Sequence, residues 1–190
     1  MSSARKETLI NALKDPEEIV RTAAAKAIEE LDVKKSLSGL INIYNSGDSE
    51  QKVKVIYALG KVNDERAINC LLDALNSKEE DVQANALRAL GELKNPKVIQ
   101  KIINMLNSPS ITVKLEAMET LMKYKDKRLL PIFSKLLKMK NKEVVEKAVE
   151  ALSYFENPKT EPDFIELMNH PVPKIRAAAA SALGKLPVTE

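Results

Sequence analysis

Tryptophan is absent from this chain of 190 residues, and cysteine and histidine occur once each, as Cys70 and His170. A lone cysteine closes no internal disulfide, so nothing points to an oxidising compartment. A lone histidine builds no histidine-rich metal site. Aromatics make up only 4% and there are five glycines, a composition that disfavours sheets and leaves Ala, Leu, Lys and Glu to favour helices. No run approaches the roughly 18 apolar residues that span a bilayer. The first eight residues, Met1 to Thr8, lack the apolar core of a signal peptide. An excess of one charge is missing too: 30 basic against 27 acidic side chains give +3, too little to point to nucleic acid or an anionic membrane. The expectation is a soluble, cytoplasmic protein without cofactor or metal.

What the chain does have is a repeat. VRTAAAKAIEEL begins at Val20, QKVKVIYALGKV at Gln51, VQANALRALGEL at Val82, VKLEAMETLMKY at Val113, VVEKAVEALSYF at Val144 and IRAAAASALGKL at Ile175. Each step is 31 residues, with no insertion or deletion. With Val20 as position 0, position 8 reads Ile28, Leu59, Leu90, Leu121, Leu152, Leu183, and position 4 is Ala in every copy but Val55. Apolar residues at positions 0, 4, 7, 8 and 11 form one face of a helix. Gly60, Gly91 and Gly184 at position 9 cost helix propensity, which predicts a close helix crossing there. Positions 17, 20, 21 and 24 carry a second apolar helix, broken by Ser134 and Glu161. Asp64, Asn95, Asp126 and Asn157 at position 13 are suited to cap that second helix, and Val33 departs there.

The spacing predicts twelve helices, roughly 3–14, 17–31, 34–46, 49–62, 65–76, 79–93, 96–107, 110–124, 127–139, 142–155, 159–169 and 172–186. They make one domain over 1–190: a half repeat 1–14, full repeats from about 15, 46, 77, 108 and 139, and a terminal half repeat 170–190.

The motif V-(R/K/Q)-x-x-A-x-x-A-L-G, with an Asp or Asn turn, a following basic residue and an apolar second helix, resembles the HEAT-like repeats of the phycobilisome-lyase type. The resemblance covers nearly the whole chain. It implies an all-α fold, a right-handed α-solenoid of stacked helix pairs, with second helices lining the concave side. Such a scaffold serves many tasks, so function has to come from the surface.

Two sets of residues are candidates for holding a partner. Position 15 is basic throughout: Lys35, Arg66, Lys97, Arg128 and Lys159. It makes either an inner rim of cations or a set of partners for the turn Asp and Asn two residues earlier. The variable columns of the second helix are expected to face the concave solvent: Gly39, Cys70, Lys101, Ile132 and Asp163 at position 19, and Asn42, Asp73, Asn104, Lys135 and Glu166 at position 22. Ile132 with Met139 makes a small apolar patch, a hint of contact. The lysines 135, 138, 140 and 142 suit a solvated helix end.

Catalytic readings have little to stand on. No histidine lies near Cys70 in sequence to activate it, and there is no glycine-rich phosphate loop. The expected function is therefore a non-enzymatic scaffold that binds another protein on its concave face. Nucleic acid on the basic rim is the alternative, and a bilin-lyase-like enzyme a remote one. The alanine-rich last helix, Ala177 to Leu183, is expected either to pair weakly with another copy or to continue into further repeat sequence.

Overall fold

The computed structural model describes residues 3–187, and the regular structure among them is entirely helical. Residues 1–2 and 188–190 of the expected terminal half repeats lie outside the described residues. The chain divides into two compact units, Met1–Val55 and Ile56–Glu190.

The N-terminal unit holds α1 (Ser3–Ala12) and α2 (Glu18–Ser46), with α1 packed on α2. Here the structure corrects the expected pattern: helices expected over 17–31 and 34–46 are one continuous helix of 29 residues. The reason is local. Position 13 is Val33, which has no oxygen to cap a new helix, and neither Gly nor Pro occurs between Leu31 and Leu37 to stop the old one. Helix α3 (Ser49–Leu59) then crosses the division between the units.

In the second unit the pattern is regular. First helices α5 (Glu80–Leu93), α7 (Ile111–Lys123), α9 (Lys142–Tyr154) and α11 (Pro173–Lys185) pack each on the next. Second helices α4 (Glu65–Ala74), α6 (Ile99–Met105), α8 (Leu130–Leu136) and α10 (Glu161–Leu167) each pack on the following first helix. Three of them begin with a 3-10 turn: Pro96–Val98, Lys127–Leu129 and Pro158–Thr160. Pro131 is tolerated because it sits in the first turn of α8, where its missing N–H has no helical partner to lose.

The two predicted stripes are the core. Leu59, Leu90, Leu121 and Leu152 are fully buried, as are Leu71, Ile102, Phe133 and Phe164 of the second helices. The turns are closed as their chemistry requires. Asp64, Asn95, Asp126 and Asn157 accept the backbone N–H of Arg66, Lys97, Arg128 and Lys159 at 2.8 to 3.0 Å. A residue in the left-handed region precedes three of these caps: Lys94, Lys125 and Glu156, with φ of 49, 53 and 45°.

The turn between repeats has its own fastening. Gln83 donates to the carbonyls of Leu75 and Ser77, and Arg176 to those of His170 and Pro171. In the N-terminal unit Arg21 does the same to Asp15 and Pro16. All three occupy position 1, so the R/K/Q of the motif is a clamp on the preceding loop.

Candidate protein-binding face

The second helices of the C-terminal unit present their flanks as the sequence pattern requires, with one exception. Asp73, Lys101, Asn104, Lys135 and Glu166 are exposed, and Ile132 and Asp163 are half-buried. Cys70 is the exception: it is buried, at 9% exposure. The apolar face of α4 is wider than the stripe used to assign it, since Ala67, Ile68, Leu71 and Ala74 flank the thiol. Burial, with a smaller contribution from the Asp73 carboxylate, pushes that thiol up to about 11. At neutral pH it stays protonated and is a poor nucleophile.

The structure ties some of these residues together. Asp163 accepts the hydroxyl proton of Ser134 at 2.6 Å, joining α10 to α8. Gln100 donates to Asn104 at 3.3 Å along α6. Lys101, Lys135 and Glu166 make no such bonds among the described residues, which leaves opposite charges displayed on neighbouring second helices. The lysines 135, 138, 140 and 142 are all exposed.

The basic column at position 15 divides into three kinds. Arg128 binds its own cap, with Nη2 2.6 Å from one Asp126 oxygen and Nε 2.9 Å from the other. Those hydrogen bonds hold the Asp126 carboxyl below its ordinary range and raise the guanidinium. Arg66 grips Asp64 in the same way, at 3.2 Å. Lys97 and Lys159 reach their Asn caps through the backbone alone and leave their ammonium groups in solvent. In the N-terminal unit, Lys35 and Asn42 lie exposed along the continuous α2.

The single histidine has a structural task. His170 Nδ1 accepts the N–H of Val172 at 3.1 Å. Ser77 and Ser108 hold the equivalent position in earlier repeats and accept the N–H of Glu79 and Ser110. His170 thus replaces a serine as a turn cap.

First helices are joined by ion pairs between successive repeats. Arg88 meets Glu116 at 2.6 Å, Lys123 meets Glu92 at 2.7 Å, and Lys147 meets Glu119. Burial works against the Lys147 ammonium, but hydrogen bonds to Glu119 and Glu150 outweigh it and raise its pKa. The same face bears clefts that the second-helix columns do not predict, one of them beside Tyr57. The signal was in the sequence: position 6, Lys26, Tyr57, Arg88, Glu119, Glu150, Ser181, varies as freely as positions 19 and 22.

Sequence profiles of HEAT repeats match residues 7–82, 71–153 and 135–190. The chain belongs to the HEAT-repeat family. Among solved structures it is similar to the complex of CpcE and CpcF of phycocyanin lyase from Nostoc sp. PCC7120, with a TM-score of 0.62 and 28% identity over 77% of this chain. It spans 63% of that chain's length. It shares the fold of the Escherichia coli protein YibA (TM-score 0.62, 20% identity, 93% of this chain and 69% of that one). It also shares the fold of a designed armadillo repeat protein in complex with the peptide (KR)4 (TM-score 0.54, 20% identity, 95% of this chain and 98% of that one). No curated protein matches. The HEAT-like repeat of the motif and the helical solenoid are thus both established, and the lyase structure is of the kind that the motif resembles. No helix among the described residues is long and apolar enough to cross a membrane.

Proposed function

We propose that this HEAT-repeat chain is a non-enzymatic scaffold that binds another protein on the face made by its second helices. The observation that carries the reading is the contrast between columns in the second unit. Positions inside the stack are nearly constant and buried, whereas Asp73, Asn104, Lys135 and Glu166, one per repeat at a single position, are exposed and chemically different. A surface freed from packing whose charge differs from one repeat to the next suits recognition of one partner. Lys101 and the half-buried Ile132 add a cation and an apolar contact beside it.

Non-enzymatic status is supported by the two side chains best suited to chemistry. Cys70 is buried and protonated, and His170 is a turn cap. The similar lyase structure is itself a complex of two chains, which suits a protein whose task is to hold another. Its 28% identity also supports a second reading, a subunit of a lyase. Chromophore attachment to a phycocyanin subunit in the presence of this chain is the assay for that reading.

Photo-crosslinking tests the scaffold. A benzophenone side chain at Lys101 or Lys135 is expected to capture a discrete partner from native lysate, and one at Glu119 or Glu150 is not. The double variant Ile132→Asp, Lys101→Glu is expected to abolish that capture with helicity unchanged. Capture from Glu119 or Glu150 alone, surviving the double variant, overturns the assignment of the face.

A further inference from the structure

On the opposite, first-helix side of the second unit, the last turn of α3 and the middle of α5 enclose a cleft of about 420 Å³. Its floor is the close contact of Gly60 with Ala89, where an added Cβ would lie 2.8 Å from that of Ala89. The wall is Tyr57, whose side chain is 69% exposed. The Lys61 ammonium stands 4.1 Å from the centroid of its ring. Asn85, Arg88, Glu92 and Lys123 complete the lining.

The charges are unbalanced. Three cations, Lys61, Arg88 and Lys123, face one carboxylate, Glu92, and Lys123 already holds that carboxylate at 2.7 Å. Arg88 reaches out of the cleft to Glu116, whose side chain is only 10% exposed. Lys61 has no carboxylate within bonding distance among the described residues; its neighbour is the Tyr57 ring. An ammonium beside an aromatic face still has N–H donors to offer an anion, and a carboxylate added there gains a charge-assisted hydrogen bond next to the ring. Tyrosine and arginine around a small pocket are also the side chains that dominate binding energy at protein interfaces.

We propose that this cleft is a second docking site, separate from the second-helix face, for an acidic side chain flanked by an apolar one in an extended segment of a partner protein. The carboxylate pairs with Lys61. The apolar neighbour lies on the Tyr57 ring and over the Gly60–Ala89 floor. Charge complementarity selects the acidic segment: a basic one meets Lys61 head on.

The test is a titration of the ¹⁵N-labelled chain with an acetylated, amidated peptide of alternating glutamate and leucine, followed by amide chemical shifts. The peptide is expected to move Gly60, Lys61 and Ala89 saturably, and to bind at least tenfold more tightly than the same peptide with lysine for glutamate. Raising salt from about 0.05 to 0.5 M is expected to weaken it, since the site is open to solvent. Lys61→Glu and Tyr57→Ala are each expected to reduce affinity at least tenfold. Lys61→Met, which keeps the stem and removes the charge, gives the same loss should Lys61→Glu disturb the helix. Lys140→Glu, at an exposed lysine outside both sites, leaves binding unchanged. Shifts scattered over all lysines, equal binding of the lysine peptide, or full affinity in Lys61→Met overturns the proposal. Displacement of the peptide by a short DNA duplex at equal concentration overturns it too, because phosphate would then be the preferred anion.

Discussion

Gly60 and Ala89 meet so closely that no side chain fits between them: a Cβ on Gly60 would stand 2.8 Å from the Ala89 Cβ and 3.1 Å from its Cα. The contact joins position 9 of one repeat to position 7 of the next. Gly91 repeats it against Thr120, where an added Cβ would come within 3.2 Å of Cγ2. At Gly184, in the same column, a Cβ would meet nothing within 4 Å. The three glycines should therefore respond oppositely to alanine. Gly60→Ala is expected to lose about 1–3 kcal/mol through overpacking. Gly184→Ala is expected to gain about 0.5–1 kcal/mol from helix propensity. Urea denaturation of both variants checks the sign.

The same pair shows what the sequence reveals and what it hides. Three glycines in register predict a close crossing, and two have one; the third differs because nothing packs on it, which periodicity cannot express. The Asp and Asn caps were legible because one side chain and one backbone N–H, two residues apart, decide them. The continuous α2 was not, since the 31-residue phase runs through Val33 unbroken and only the missing cap oxygen betrays the missing turn. Cys70 misled for another reason: position 19 borders the apolar stripe, and the neighbours in α4 decide whether a border residue is covered. The ion pairs from Arg88 to Glu116 and from Lys123 to Glu92 link residues about one repeat apart on outer faces, where a sequence shows charges but not their partners.

Position 8 is the centre of each interface between repeats, and position 6 is its outer edge. Leu90→Ala is expected to cost about 2–5 kcal/mol, since the side chain is fully buried. Arg88→Ala removes an ion pair from a guanidinium that is 57% exposed, and is expected to cost no more than about 1 kcal/mol. Equal losses in denaturant melts contradict this assignment of faces.

Thr120 stands where other repeats carry alanine, and its hydroxyl is fully buried without a hydrogen-bond partner. The Thr120→Val variant keeps the methyl group that faces Gly91 and removes the orphaned donor. It is expected to raise stability by about 1 kcal/mol. A loss on thermal or chemical unfolding would mean that the hydroxyl is satisfied in solution.

Two titrations follow from the site. Asp126 is held below its ordinary value by hydrogen bonds from Arg128. A depressed carboxylate stabilises the fold above its unfolded value of about 4, and that contribution disappears as pH falls through the lower folded value. Asp126→Asn keeps the cap, as Asn95 and Asn157 do, and is expected to flatten stability over that acid window. Cys70 has the opposite sign. Its thiol is raised by burial to about 11 from 9.0, so the neutral form stabilises the fold below the unfolded value, and that contribution fades as pH rises from about 9 to about 11. Alkylation of native Cys70 by iodoacetamide at pH 8 is expected to run at least tenfold slower than in urea-unfolded chain. Equal rates would place the thiol in solvent.

The continuous α2 gives the sharpest test, because the repeat phase and the structure point to different distances. A helix rises about 1.5 Å per residue, so Thr22 and Asn45 lie roughly 35 Å apart along α2 if it is unbroken. A turn at Val33 would fold the second segment back, leaving the two residues roughly 10–20 Å apart, the reach of neighbouring helices. Spin labels at Thr22 and Asn45, with Cys70 replaced by alanine, are expected to give the long distance in pulsed electron resonance. Val33→Asp with Lys34→Pro supplies what position 13 lacks, a cap oxygen followed by a proline that begins a helix but cannot continue one. That variant is expected to shift the distance to the short value while the stripe of Leu37, Leu40, Ile41 and Tyr44 stays helical. A short distance in the unsubstituted chain would show that the apolar stripe alone closes the hairpin, and that a cap is dispensable at this turn.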